Sequence, residues 1–209
     1  MGQSGAGVDH GIEHRLPPGQ RVQKGWPVLH YGPVPRFKPD SWDFSVTGAT
    51  ADNDATSWSY GEFANLPTVE LTVDFHCVTR FSMLDTVWSG VSPATILDLV
   101  PPDPGVTHVT VWAEYGYSAN LRIADLRRDG VVFATRHARE QLTPDHGFPL
   151  RLIVPHLYAW KGPKWVRGIE YLIEDRRGFW EERGYHNIGD PWLEQRYSYQ
   201  EEAGDGPPL

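Results

Sequence analysis

The sequence predicts an α+β domain dominated by β-sheet, with few and short helices. Three observations carry this. Several segments alternate apolar and polar residues at the two-residue period of a strand. Only two segments carry the capping signals of a helix. Eighteen Pro and 21 Gly in 209 residues demand many turns.

Trp42-Asp-Phe-Ser-Val46 alternates and runs into Gly48. Val69 to His76 alternates for eight residues and is the clearest half-buried strand on paper. Val109 to Trp112 and Val131 to Ala134 are further strands. Leu150 to Val154 is apolar nearly throughout, the pattern of a strand covered on both faces, and Trp165 to Ile173 is expected to follow it as another. Ser59 with Glu62 forms a capping box that opens a helix. Ser92 and Pro93 open a second, which Pro101-Pro102 stops. Residues 1–14 are Gly-rich and are expected to be mobile, and 200–209 read as a disordered acidic tail. Between them, residues 15–199 are expected to form one domain.

A net charge of −8, from 27 acidic and 19 basic residues, argues against a nucleic-acid surface. No apolar run reaches the length of a membrane span, so membrane insertion is not expected. The opening residues have neither a basic n-region nor an apolar h-region, which makes the cytoplasm the expected compartment. A single cysteine rules out an internal disulfide and sites built from several thiolates.

That cysteine, Cys77, ends the best strand, with His76 and Arg80 nearby. A thiolate there could ligate a soft metal, or the residue could be a small buried hydrophobe. Arg151 lies in the apolar Leu150–Val154 run and needs an anionic partner, either a protein carboxylate or a phosphate. Lys161-Gly-Pro-Lys164 could present amides and ammonium groups to such a phosphate, or be a solvated basic turn. Phe179 to Trp192 is aromatic and turn-rich, suited either to covering a pocket, with Tyr185 as a donor, or to stapling an irregular segment.

Together these blocks resemble the molybdopterin-binding domain of the sulfite oxidase family, especially its short prokaryotic members. The similarity is strongest in Phe75-His-Cys-Val-Thr79, in His146-Gly-Phe-Pro-Leu-Arg151, in Lys161 to Val166 and in Gly178 to Arg196. Arg15 to Gln20 with Trp26 to Leu29 resembles the opening of that domain. The resemblance implies a β-rich mixed-sheet fold and a molybdenum–molybdopterin cofactor with a single pterin. It implies Cys77 as the protein ligand to the metal. It implies His30, Tyr31, Ala113, His146, Arg151, Gly162, Pro163 and Lys164 as cofactor-binding residues, and Tyr185 as an active-site tyrosine. The arginine that animal and plant members carry in the first loop is missing at Leu29-His30, so Arg80 is expected to supply the positive charge.

The implied activity is two-electron oxygen-atom transfer on a small sulfite-, sulfoxide- or N-oxide-like substrate, with an unidentified electron-transfer partner. The rival readings are a Trp-rich β module that binds carbohydrate or another ligand, a zinc hydrolase using some of the nine histidines, and a family member that has lost turnover.

Overall fold

The structure is a computed structural model that describes residues 11–209. The expected mobile N-terminus lies, up to residue 10, outside the described residues. The strands are β1 (Arg21–Val22), β2 (Asp43–Gly48), β3 (Thr56–Ser59), β4 (Thr68–His76), β5 (Phe81–Val91), β6 (His108–Ala113), β7 (Ser118–Arg122), β8 (Val132–His137), β9 (Glu140–Gln141), β10 (Arg151–Ile153) and β11 (Val166–Leu172). The helices are α1 (Tyr60–Ala64), α2 (Pro93–Leu99) and α3 (Ile123–Leu126).

Two sheets form. In one, β5 is the spine: β4 pairs with it antiparallel, β1 parallel and β8 antiparallel, and β8 goes on to β10 and β9. The other runs β3-β2-β11-β6-β7, with β2 and β11 parallel and the remaining pairs antiparallel. Both sheets are thus mixed, as the resemblance implied. No helix among the described residues is long and apolar enough to cross a membrane.

Apolar alternation explains how the sheets stack. Phe133 and Leu152 point into the main core with Phe44, Val46, Val109, Val111 and Ile169. Their neighbours Val132, Ala134 and Ile153 point the other way, into a second core with Phe75, Phe81 and Trp88. The β8–β10 pair is therefore buried on both faces, which is why the Leu150–Val154 run lacks polar alternation. The second core matters for function because Cys77 and Arg151 sit at its edge.

The capping box at Ser59 is formed on both sides: Ser59 Oγ accepts from the Glu62 amide, and Glu62 accepts from the Ser59 amide at 2.8 Å. Helix α2 starts at Pro93, capped by Ser92, and ends ahead of Pro101.

Two expectations need correction. β4 is an edge strand exposed over most of its first half, and only Phe75 and His76 at its end are buried. Residues 200–209 are tied down rather than loose: Arg177 pairs with Glu201 at 2.6 Å and also donates to the carbonyl of Pro207. The amide side chain of Asn187 donates to the carbonyl of Asp205. Composition marked that tail as solvated, but its acids meet basic and amide partners held by the domain.

Gly90 marks the bulge where the β5–β8 register shifts, and a Cβ there would lie 2.0 Å from the carbonyl oxygen of Phe133. Gly90→Ala is expected to destabilise the protein by about 2–3 kcal/mol or more, read as a lower urea midpoint at unchanged m-value.

Candidate functional site

Cys77 leaves β4 into a four-residue turn. Its amide donates to the Phe81 carbonyl at 2.8 Å, and its carbonyl accepts from the Arg80 amide at 3.0 Å. Arg80 closes the turn in the left-handed region, at φ 72°. Such a turn holds the thiol at a fixed point, since both neighbouring strands are locked in the sheet. Cys77 is only 8 % exposed, yet it lines a cavity of about 280 Å³.

The cavity lies between the Cys77 turn, the loop of Trp26 to Tyr31, the Gly162–Trp165 loop and the aromatic C-terminal segment. Arg151 forms part of its wall. It is 2 % exposed, donates among the described residues only to the carbonyl of His146 at 3.0 Å, and leaves Nε without a partner there. The rings of Trp26, Trp88 and Phe75 surround the guanidinium at 5.0, 5.5 and 5.6 Å. No carboxylate among the described residues pairs with it. Burial pushes its pKa down to about 9. A guanidinium gives up its proton reluctantly, so the physical meaning is a demand for a bound anion.

Lys164 stands beside it, bridged through the backbone to Arg151. Its pKa is pushed down to about 7, first by burial and then by the Arg151 charge. Among the described residues its ammonium donates only to a carbonyl, that of Asp145, at 2.6 Å. Gly162 packs so closely that a Cβ would meet the Leu152 carbonyl oxygen at 2.4 Å, so this loop needs glycine. Two under-neutralised cations and a tightly apposed glycine loop make an anion site at one end of the cavity. A soft sulfur occupies another part of its lining.

The remaining wall is aromatic. Tyr31 packs on Phe179 at 4.6 Å and on Trp180 at 6.2 Å. Tyr185 packs on Trp180 at 5.1 Å and on Trp160 at 5.0 Å. Burial raises the Tyr185 pKa, which keeps it a protonated donor.

Most of the residues marked in the sequence meet here. Cys77, Tyr185, His30, Tyr31, Arg151, Gly162, Pro163 and Lys164 all line the cavity. Three do not. His146 sits one layer back, stacked on Trp26 at 3.8 Å, with Nδ1 buried and unpartnered. Burial, then the charges of Lys164 and Arg151, hold its pKa at about 4, so the ring is neutral. Ala113 is buried at the end of β6, next to Glu114, which does line the cavity. Arg80 is exposed, and its guanidinium lies against Gly19, where the Glu194 carboxylate also approaches. The left-handed backbone that closes the turn aims it outward, so it does not bring charge to the cavity. Lys161, read with Lys164 as a phosphate contact, is instead buried and spent on Glu181 at 2.6 Å, Asn187 and Asn120. Sequence reasoning also missed three groups that hold the cysteine turn: Gln20, Thr79 and Arg196. The Gln20 and Arg196 contacts span 57 and 118 positions, beyond any local pattern, whereas Thr79 stands in the Phe75–Thr79 block without its side-chain role being read.

The family model for the oxidoreductase molybdopterin binding domain matches residues 31–180. The chain belongs to this family, the sulfite oxidase-type enzymes that its motifs resemble, and is a molybdenum–molybdopterin-dependent oxidoreductase. It is 40 % identical over 186 residues to the uncharacterized oxidoreductase YuiH of Bacillus subtilis, covering 88 % of this chain and 93 % of that one. It is 27 % identical to the putative protein-methionine-sulfoxide reductase subunit YedZ1 of Azospira oryzae, over 71 % of this chain and 56 % of that one. The solved sulfane dehydrogenase SoxCD from Paracoccus pantotrophus superposes with a TM-score of 0.60 at 15 % identity, over 68 % of this chain and 40 % of that one. The reading as a redox-inactive sugar-binding module gives way to an enzyme.

The cavity fits the family's cofactor on its own geometry: a buried unpaired arginine and a pKa-depressed lysine for an anionic group, and a rigid thiol as a soft ligand. These cations make the unfilled protein sensitive to pH. The Lys164 pKa is about 7 in the folded chain, against an ordinary lysine value of 10.5. Between these values the unfolded chain binds more protons, so stability rises with pH. A bound anion raises the folded pKa and closes the window. The melting temperature of cofactor-free protein is expected to climb between about pH 7 and 10 relative to that of loaded protein, as thermal melts at matched ionic strength would read.

Proposed function

We propose that this enzyme performs two-electron oxygen-atom transfer on a small uncharged organic oxide, or on the reduced partner of one, with Cys77 as the protein ligand to the metal. Sulfoxides and N-oxides fit; sulfite fits poorly. When bound, the cofactor supplies the two-electron redox change and the exchange of oxygen. The chain does the rest. Arg151 and Lys164 would hold the cofactor's anionic part, with Gly162, Pro163, His30 and Tyr31 as further residues of the same lining that would contact it. His146, neutral behind Trp26, supports that wall. Tyr185 offers a hydroxyl that donates to no protein acceptor among the described residues, and so is free to hydrogen-bond a substrate oxygen.

The observation that carries the choice of substrate is the lining near Tyr185. It is built from Tyr31, Tyr117, Trp160 and Trp180, and among the described residues the only arginine or lysine side chains in the lining are Arg151 and Lys164. Arg80 points away, and Arg183 is turned back over Phe179 at 3.7 Å. An anion such as sulfite would lose its water there without a matching charge, whereas a methylated sulfur or nitrogen oxide finds apolar contact and one donor. The name of the Azospira relative, a methionine-sulfoxide reductase subunit, agrees with this choice. Electrons enter or leave through an outside partner, since a two-electron change on a small substrate must be reset between turnovers.

Protein made in a host that synthesises the cofactor is expected to carry about one molybdenum per chain, lost in Cys77→Ala. Tyr185→Phe should keep the metal and lower kcat/KM for sulfoxides or N-oxides roughly tenfold or more. Faster turnover of sulfite than of any neutral oxide would sink the substrate assignment.

A further inference from the structure

The turn that presents Cys77 is gripped from two distant parts of the chain and from within. Gln20 Nε2 donates to the Cys77 carbonyl at 3.0 Å. The Thr79 hydroxyl donates to the Cys77 sulfur itself, at 3.2 Å. Arg196 donates through one Nη to the carbonyl of Val78, the residue next to the cysteine.

Arg196 is the unusual member of the three. It is 5 % exposed and stacked over the Tyr158 ring at 4.8 Å, and both Nε and the second Nη are buried with no hydrogen-bond partner. The nearest carboxylate, Glu194, lies 3.6 Å from that second Nη, makes no hydrogen bond to it and has a side chain 43 % exposed. A buried cation so poorly matched is costly unless negative charge develops close by. A thiolate ligand and the anionic centre it holds would be that charge, one peptide away. Gln20 is neutral, donating to the Cys77 carbonyl and accepting from the Ser82 hydroxyl, so it fixes the turn without adding a charge.

We infer that Thr79 and Arg196 are positioning residues that set the reduction potential of the metal held by Cys77. A hydrogen bond to a thiolate withdraws electron density from the sulfur and weakens its donation to the metal. A buried guanidinium only loosely matched by the half-exposed Glu194, beside the same turn, favours the state with one more electron. Both effects stabilise the reduced metal and raise the potential. The inference rests on Cys77 being the ligand, as proposed above.

The test uses loaded protein, with molybdenum per chain measured first, followed by a potentiometric titration read from the metal's EPR signal. Thr79→Val keeps the shape and removes the donor. It is expected to lower the potential by the equivalent of about a tenfold change in the oxidised-to-reduced ratio at fixed poise. Thr79→Ser should restore the wild-type value. Arg196→Gln, which can still donate to Val78, should lower the potential in the same direction, and Arg196→Lys should stay near wild type. A merely structural role would change metal loading or melting temperature while leaving the potential of the loaded fraction where it was. Unmoved or raised potentials in Thr79→Val at full loading overturn the inference, and if Arg196→Gln fails to accumulate, the Thr79 pair still decides. Metal retained in Cys77→Ala would overturn the ligand assignment as well. Metal lost there, with Thr79→Val unmoved, overturns this inference alone.

Discussion

A guanidinium held inside an aromatic wall, facing a cavity and lacking a counter-charge, is the constraint around which this molecule is arranged. Arg151 belongs to a strand buried on both faces, so it cannot swing out to water. Trp26, Phe75 and Trp88 give it π-electron contact, and the His146 carbonyl takes one of its hydrogens. Those contacts soften the cost of burial without cancelling the charge. An anionic cofactor in the cavity, as proposed above, would supply what is missing. The folded chain is therefore preorganised for an anion at a measurable expense in its own stability.

The second organising element is the buried ion pair of Lys161 with Glu181. Lys161 precedes the glycine loop at the anion end, and Glu181 follows Trp180 in the aromatic segment. Glu181 also accepts from the Trp160 indole at 3.0 Å. The pair therefore locks the loop that meets the anion to the segment that carries Tyr185. Removing either partner alone would strand a buried charge, so the coupling is far stiffer than a surface bridge. The two sides of the cavity are therefore mechanically one unit.

Much of this was legible in the residues. Alternation and capping signals located six strands and two helices, and the apolar Leu150–Val154 run correctly announced a strand covered on both sides. The longest strand, β5, escaped because its Asp85 adopts a left-handed backbone and its Gly90 bulge breaks the period. Among the site residues, sequence order brought the right loops together, but side-chain direction decided the details. Arg80 looked like the spare positive charge because it is three residues from Cys77, yet a positive-φ turn points it outward. Lys161 and Lys164 looked alike, and burial separated them into a structural cation and a site cation. Arg196 gave no local sign, because the carbonyl its guanidinium donates to is 118 positions away.

The hold on residues 200–209 bears on how the aromatic wall could be undone. Glu201 bridges Arg177 and the amide of Asn187, so this segment braces the chain on both sides of Tyr185. Cleavage of the backbone ahead of Glu201 would leave the Arg177 guanidinium without its carboxylate, and the aromatic side of the cavity would lose its brace while both sheets stayed whole.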